Sequence, residues 1–218
     1  MNKIEAVIFD MDGLLFDTEK IGFRVWKATC EKYGYTMDKE MFFSIIARNA
    51  RDIKEIMIKK FGENFEFEKL HKEKSDMAVE IINSEGVELK KGAVELIDFL
   101  IEKDYKIALA TSSRRERAFN LLEKVNMIDK FTYVICGDEV EKSKPDPDIF
   151  LKVAKKLGVK PEKCMVLEDS EPGVRAAVAA GMIAINVPDM KDPDEEIINI
   201  SYKVSKSLLE VKELLENV

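Results

Sequence analysis

Short apolar runs, several rich in β-branched residues, recur along the 218-residue chain: EAVIFD, YKIALATSS, FTYVICGD, KCMVLEDS and MIAINVP. Each ends in polar or turn-forming residues, as strands covered on both faces do. Between them, apolar residues at helical spacing predict helices over Val94 to Lys103, Arg115 to Val125, Pro147 to Leu157 and Pro172 to Ala180. Pro147 and Pro172 suit helix starts, while Gly158 and Gly181 suit helix stops. Strands alternating with helices predict an α/β fold: a parallel sheet with helices on both faces.

One stretch breaks this alternation. Between Asp17 and Gly86 the segments EKIGFRVWKATCEKYG, KEMFFSIIA, RDIKEIMIKKFG and FEKLHKEKSDMAVEIINSEG predict four helices and no strand. They read as a small all-α unit over residues 17–86, inserted into a core made of residues 1–16 and 87–218. The acidic run DMKDPDEE around Asp192 reads as a solvated loop.

Composition narrows the chemistry. A chain that is 46% apolar and 35% charged suits a globular protein, and its net charge of -7 argues against a general binder of nucleic acid or anionic membrane. No stretch approaches the roughly 20 apolar residues of a membrane span, and no signal-peptide pattern opens the chain, so a cytoplasmic location is expected. Cys30, Cys136 and Cys164 are few and far apart, and read as reduced core residues. The one histidine, His71, excludes histidine-rich zinc sites and histidine dyads; its setting, KLHKEKSD, reads as a charged helix face. Catalysis is left to carboxylates, hydroxyls and lysine.

Those groups collect where the predicted strands end. Asp10 and Asp12 follow the first, Thr111, Ser112 and Ser113 the second, and Glu168 and Asp169 a later one; Lys144 lies in EKSKPDPDIF, ahead of a helix. An i, i+2 pair on an extended chain points one way, about 6.6 to 6.8 Å apart, with room for a third group between the carboxylates. Oxygen ligands without histidine or thiolate suit Mg²⁺. With lysine, that cation would draw in a phosphoryl group, which one carboxylate attacks while the other moves the proton. Each piece also has a plainer reading: a turn for DMDG, helix caps for Glu168, Asp169 and the hydroxyls, a solvated loop for Lys144. Their joint occurrence at strand ends favours the site.

At these residues the sequence resembles the haloacid dehalogenase superfamily, over nearly the whole chain. DMDGLLFDTE is similar to the family's first motif, DxDGxxxDT; ALATSS, SKPDPDIF and LEDSEPGVRAA are similar to the second, third and fourth. The resemblance implies a Rossmann-like core with a helical cap. It implies Asp10 as nucleophile and Mg²⁺ ligand, and Asp12 as general acid/base whose backbone carbonyl also binds the metal. Thr111, Ser112 and Lys144 would hold the phosphoryl oxygens, Asp169 would ligate Mg²⁺, and Glu168 would support it directly or through water. Asp12 matters because family members that cleave carbon–halogen bonds lack it. In the cap, Arg51 (or Arg48) and Lys74 would contact substrate, whereas Phe23 and Trp26 read as cap core. IGFRVWKA resembles a cap helix of β-phosphoglucomutases, with Gly22 where those carry a histidine. The implied activity is Mg²⁺-dependent hydrolysis of a small phosphorylated metabolite, a sugar phosphate foremost; a β-phosphoglucomutase is the alternative. A receiver-like signalling module is a distant one, since there the acidic pair precedes the phosphoacceptor strand. The pattern leaves the oligomeric state open, with a monomer as the expectation.

Overall fold

A computed structural model describes residues 3–46, 48 and 50–217. Six parallel strands form one sheet: β1 (Ala6–Phe9), β2 (Lys106–Ala110), β3 (Tyr133–Ile135), β4 (Cys164–Glu168), β5 (Ile183–Asn186) and β6 (Lys203–Val204), in the order β3-β2-β1-β4-β5-β6. After β3 the chain returns across β1 to lay down β4 on its other side. The carboxyl ends of β1 and β4 therefore flank the point where strand order reverses, the usual crevice for ligands in open α/β sheets. Register pairs Phe9 with both Leu109 and Leu167, so the residues just beyond β1 face those ending β2 and β4.

β1 and β4 are buried at every position, which explains their unbroken apolar runs. Helices α1 (Thr18–Lys32), α2 (Lys39–Ile45), α3 (Ala50–Phe61) and α4 (Phe67–Glu85) follow β1; α5 (Ala93–Glu102), α6 (Arg115–Lys124), α7 (Asp148–Leu157), α8 (Glu171–Ala179), α9 (Glu195–Ile200) and α10 (Leu208–Glu216) belong with the sheet. Ile8, Phe150, Val153, Val166, Val174 and Ala177 share one core layer, in which α7 and α8 cover the sheet. α7 ends where Gly158 takes a left-handed conformation and returns its N–H to Ala154 and Lys155. Ser170 caps α8 by accepting from the N–H of Gly173 at 3.2 Å.

The chain divides into two compact units, Met1–Phe16 with Leu89–Val218, and Asp17–Glu88. Within the second, α1 packs along α4, and Tyr35, Phe61 and Phe65 bring their rings within 4.9–5.2 Å of one another. Trp26 is 3% exposed, in the core of this unit. His71 is half-buried rather than solvated: its ring packs 5.2 Å from Phe67 and 6.1 Å from Trp26, and burial, with the Lys74 charge nearby, lowers its pKa.

The acidic run near Asp192 is also more than a solvated loop. Asp194 caps α9, accepting from Ile197 N–H at 2.8 Å, and Glu195 and Glu196 occupy its first turn. The three cysteines are buried and free. Among the described residues no helix is long and apolar enough to cross a membrane.

Gly92 sets how closely α5 approaches α10. It has φ +90°, and a Cβ there would lie 2.5 Å from Leu209 N and 2.8 Å from Leu209 Cγ. Gly92→Ala should therefore destabilise the core by roughly 2 kcal/mol or more, through left-handed strain and overpacking together. Urea unfolding measures this as a lowered midpoint; an unchanged midpoint would mean that α10 moves aside freely.

Candidate active site

Beyond β1 the chain turns at once. Asp10 extends the ladder by donating its N–H to Leu167 O at 3.0 Å, after which Met11 O accepts the N–H groups of Leu15 (2.9 Å) and Phe16 (3.0 Å). The two aspartates thus lie just past β1, at the carboxyl edge of the sheet. Gly13 has φ +81°, and the Asp169 carboxylate occupies the space a Cβ would take, with Asp169 Cγ only 2.9 Å from that position. Glycine is what lets the first and last acidic segments meet.

Asp10, Glu168 and Asp169 offer carboxylate oxygens all within 4.8 Å of one another. Into this group reaches Lys144, whose Nζ lies 2.5 Å from Asp10 Oδ1, 2.5 Å from Glu168 Oε1 and 3.1 Å from Ala110 O. Its side chain is 5% exposed, so it is not a solvated loop lysine. Glu168 is wholly buried and also accepts from Ser170 Oγ at 2.8 Å. A Cβ on Gly173 would overlap its carboxylate, so α8 needs a glycine at that turn. Ser170, not Glu168 or Asp169, caps that helix, leaving the acids to the cluster.

Burial pushes the Asp10 carboxyl up to about 7; Lys144 pulls it down, while Glu168 and Asp12 push it further up. Burial likewise disfavours the Lys144 ammonium, but the two carboxylates outweigh that and hold its pKa above the usual lysine value. Three hard oxygen donors with no soft ligand among them fit a small divalent cation.

Thr111 is 1% exposed, and its Oγ1 accepts the N–H of Ser113 at 3.0 Å. Ser112 is exposed, and its carbonyl carbon would lie 2.8 Å from a Cβ on Gly137, which keeps the loop after β3 close. Arg114 occupies the cap position of α6 without a side-chain cap bond, so the hydroxyls are not that helix's cap.

Asp12 has partners of its own. Arg117 on α6 donates to both its oxygens, Nη2 to Oδ1 at 2.6 Å and Nη1 to Oδ2 at 2.7 Å, and Ser113 Oγ donates to Oδ2 at 2.8 Å. Sequence reading did not single out Arg117. Its signal was an i, i+4 relation to Ser113, obscured by the neighbouring arginines. Arg115 points differently, pairing with Glu139 at 3.3 Å and lying 4.1 Å over the Phe119 ring. Asp189 was missed as well: it pairs with Lys90, and its other oxygen, Oδ2, is buried and would lie 3.5 Å from a Cβ on Gly13.

Of the residues expected in the helical unit, Arg51 is exposed and pairs with Glu55 at 3.4 Å. Arg48 Nε donates to Ser44 O at 2.8 Å. Lys74 Nζ lies 5.4 Å from the Trp26 ring centroid.

A carboxylate cluster around a buried lysine, at the switch point of a parallel sheet, is where an α/β enzyme holds its ligand. The profile of the haloacid dehalogenase-like hydrolases matches residues 7–187, and the chain belongs to that family. It is 36% identical over 184 residues to a phosphorylated carbohydrates phosphatase of Thermotoga maritima, covering 82% of each chain. It is 34% identical over 191 residues to the β-phosphoglucomutase of Bacillus subtilis, covering 84% of this chain and 83% of that one. The crystal structure of CbbY from Rhodobacter sphaeroides in complex with phosphate superposes with a TM-score of 0.80 at 25% identity, over 95% of this chain and 96% of the other.

The raised Asp10 pKa carries a sign. From the unfolded value of 3.8 up to about 7 the folded state binds the extra proton, so stability is lost as pH rises through that window. Asp10→Asn removes this loss while keeping an acceptor for Lys144. In metal-free protein its melting temperature should exceed that of the wild type near pH 7.5, with the gap closing toward pH 4; a gap constant with pH would contradict the assignment.

Proposed function

We propose that the protein is a Mg²⁺-dependent phosphatase of a small phosphorylated metabolite, a sugar phosphate foremost, working through an aspartyl-phosphate on Asp10. The observation that carries this reading is Lys144 buried between Asp10 and Glu168, 2.5 Å from each, beside Asp169. An ammonium already seated among carboxylates can turn to a phosphoryl oxygen without being desolvated anew. The T. maritima and B. subtilis relatives, with names that refer to sugar phosphates, support the substrate class.

In this mechanism Lys144, the Thr111 hydroxyl and the Ser112 backbone hold the phosphoryl oxygens. An Asp10 oxygen attacks phosphorus as the ester bond breaks, and Asp12 gives its proton to the leaving oxygen. Asp12, now a carboxylate, takes a proton from the water that cleaves the acyl phosphate, which regenerates Asp10 and releases inorganic phosphate. Mg²⁺ held by Asp10, Asp169, Glu168 and the Asp12 carbonyl would supply positive charge that favours ionised Asp10 and offsets the phosphate. The helical unit would act as the cap that selects substrate, with Arg51 and Lys74 as its contacts.

A phosphomutase reading has one specific support, the B. subtilis relative. Against it stands Gly22, whose position on α1 carries no side chain for acid/base work at the cap. Phosphate release from a panel of sugar monophosphates should require Mg²⁺ and stop with chelator. Bisphosphate-dependent isomerisation of β-glucose 1-phosphate without release would make the enzyme a mutase.

The two aspartates separate by step. Asp10→Asn should abolish both turnover and phosphoenzyme formation, whereas Asp12→Asn should bind Mg²⁺ normally and lose roughly 10²- to 10⁴-fold in turnover. Full activity in purified Asp10→Asn protein would refute the nucleophile assignment.

A further inference from the structure

Asp12 is held more firmly than a proton carrier on a loop needs to be. Arg117 meets it with two N–H groups, one on each oxygen, and Ser113 adds a third donor; Arg117 Nη1 also touches Ser113 Oγ, closing a triangle. This fork fixes both the position and the plane of the carboxylate. Each segment also has bonds of its own. The turn carrying Asp12 has its own bonds at Met11 O and Gly13 N, and the start of α6 is held by Arg115 N–H to Asp138 Oδ1 at 3.1 Å. The Arg117 and Asp12 side chains are 38% and 25% exposed, a setting in which an ion pair contributes little to stability.

We propose that Arg117 is the positioning residue of the proton-transfer step, aiming Asp12 and stabilising the carboxylate left when the leaving oxygen has taken its proton. The inference rests on the phosphatase reading above. As an Asp10 oxygen bonds to phosphorus, the P–O ester bond breaks and its electron pair goes to the leaving oxygen. The Asp12 proton moves to that oxygen, giving an alcohol. The negative charge that appears on Asp12 then lies between a guanidinium and a hydroxyl already in place. Once Asp12 carries the proton, hydrogen bonds to the anion it becomes are stronger than those to the neutral acid, so the contacts grow as the proton leaves.

Leaving groups tell this role from a structural one. An alkyl ester must have its oxygen protonated, whereas p-nitrophenolate departs without a proton. The experiment compares kcat/KM of wild type, Arg117→Gln and Arg117→Lys on p-nitrophenyl phosphate and on the sugar monophosphate that the wild type hydrolyses best. Arg117→Gln should lower kcat/KM on the sugar phosphate by about 10- to 100-fold, and on the aryl ester at least about tenfold less. Arg117→Lys, which keeps charge but not the fork, should lie between. If Arg117→Gln fails to fold, Arg117→Lys carries the same comparison. Asp12→Asn with Arg117→Gln should be no slower than Asp12→Asn alone, because the two act as one unit. Equal losses on both esters, or additive losses in the double variant, would overturn the role of Arg117 and leave the phosphatase reading standing. A wild type that releases phosphate from neither ester would bring down both.

Discussion

The core site depends on one buried contact, the ammonium of Lys144 against Asp10 and Glu168. Carboxylates 7% and 0% exposed are tenable only with a counter-charge, since an unpaired charge at such depth is far costlier than a paired one. The lysine comes from the chain before α7, Asp10 from the end of β1 and Glu168 from the end of β4, so the pairing ties together three distant pieces of sequence. The bond to Ala110 O adds β2. Burial even so raises the Asp10 pKa, with the Glu168 and Asp12 charges adding to it and Lys144 opposing. Three carboxylate oxygens gathered within 4.8 Å of one another suit a small divalent cation.

Asp10 and Asp12 are two residues apart and chemically unlike. The first shares a deeply buried lysine with another acid, and the second is gripped by a half-exposed arginine and a serine. Acid/base assignments follow where environment divides two titratable groups in this way. Lysine suits the first position because a compact ammonium bridges two carboxylates; arginine suits the second because its planar fork matches one carboxylate.

Much of this was legible in the chain. Five strands and the helices between them follow from unbroken apolar runs and 3.6-residue periodicity, because burial dictates both. β6 escaped since two residues carry no pattern, and α9 escaped because its acidic first turn resembled a loop. The Asp10, Glu168 and Asp169 cluster was foreseeable from strand ends alone, given a parallel sheet. Arg117, Asp189 and the packing of His71 were not: each depends on which way a helix or loop turns in space, and composition near them pointed to solvent. Charge runs are ambiguous where half of a helix faces inward.

Glycines show how tightly the site's shape is drawn. At Gly13 a methyl group would meet Asp169, at Gly173 it would meet Glu168, and at Gly137 the Ser112 backbone. Only Gly13 of these three has a positive φ, so at the other two it is the missing Cβ, not backbone freedom, that the structure requires. Motifs of this kind therefore carry two sorts of information. The acids mark where charge must stand, and the glycines mark where other groups must be let in. Substituting either kind would disturb the same few ångströms, but the acids would act through charge and the glycines through position.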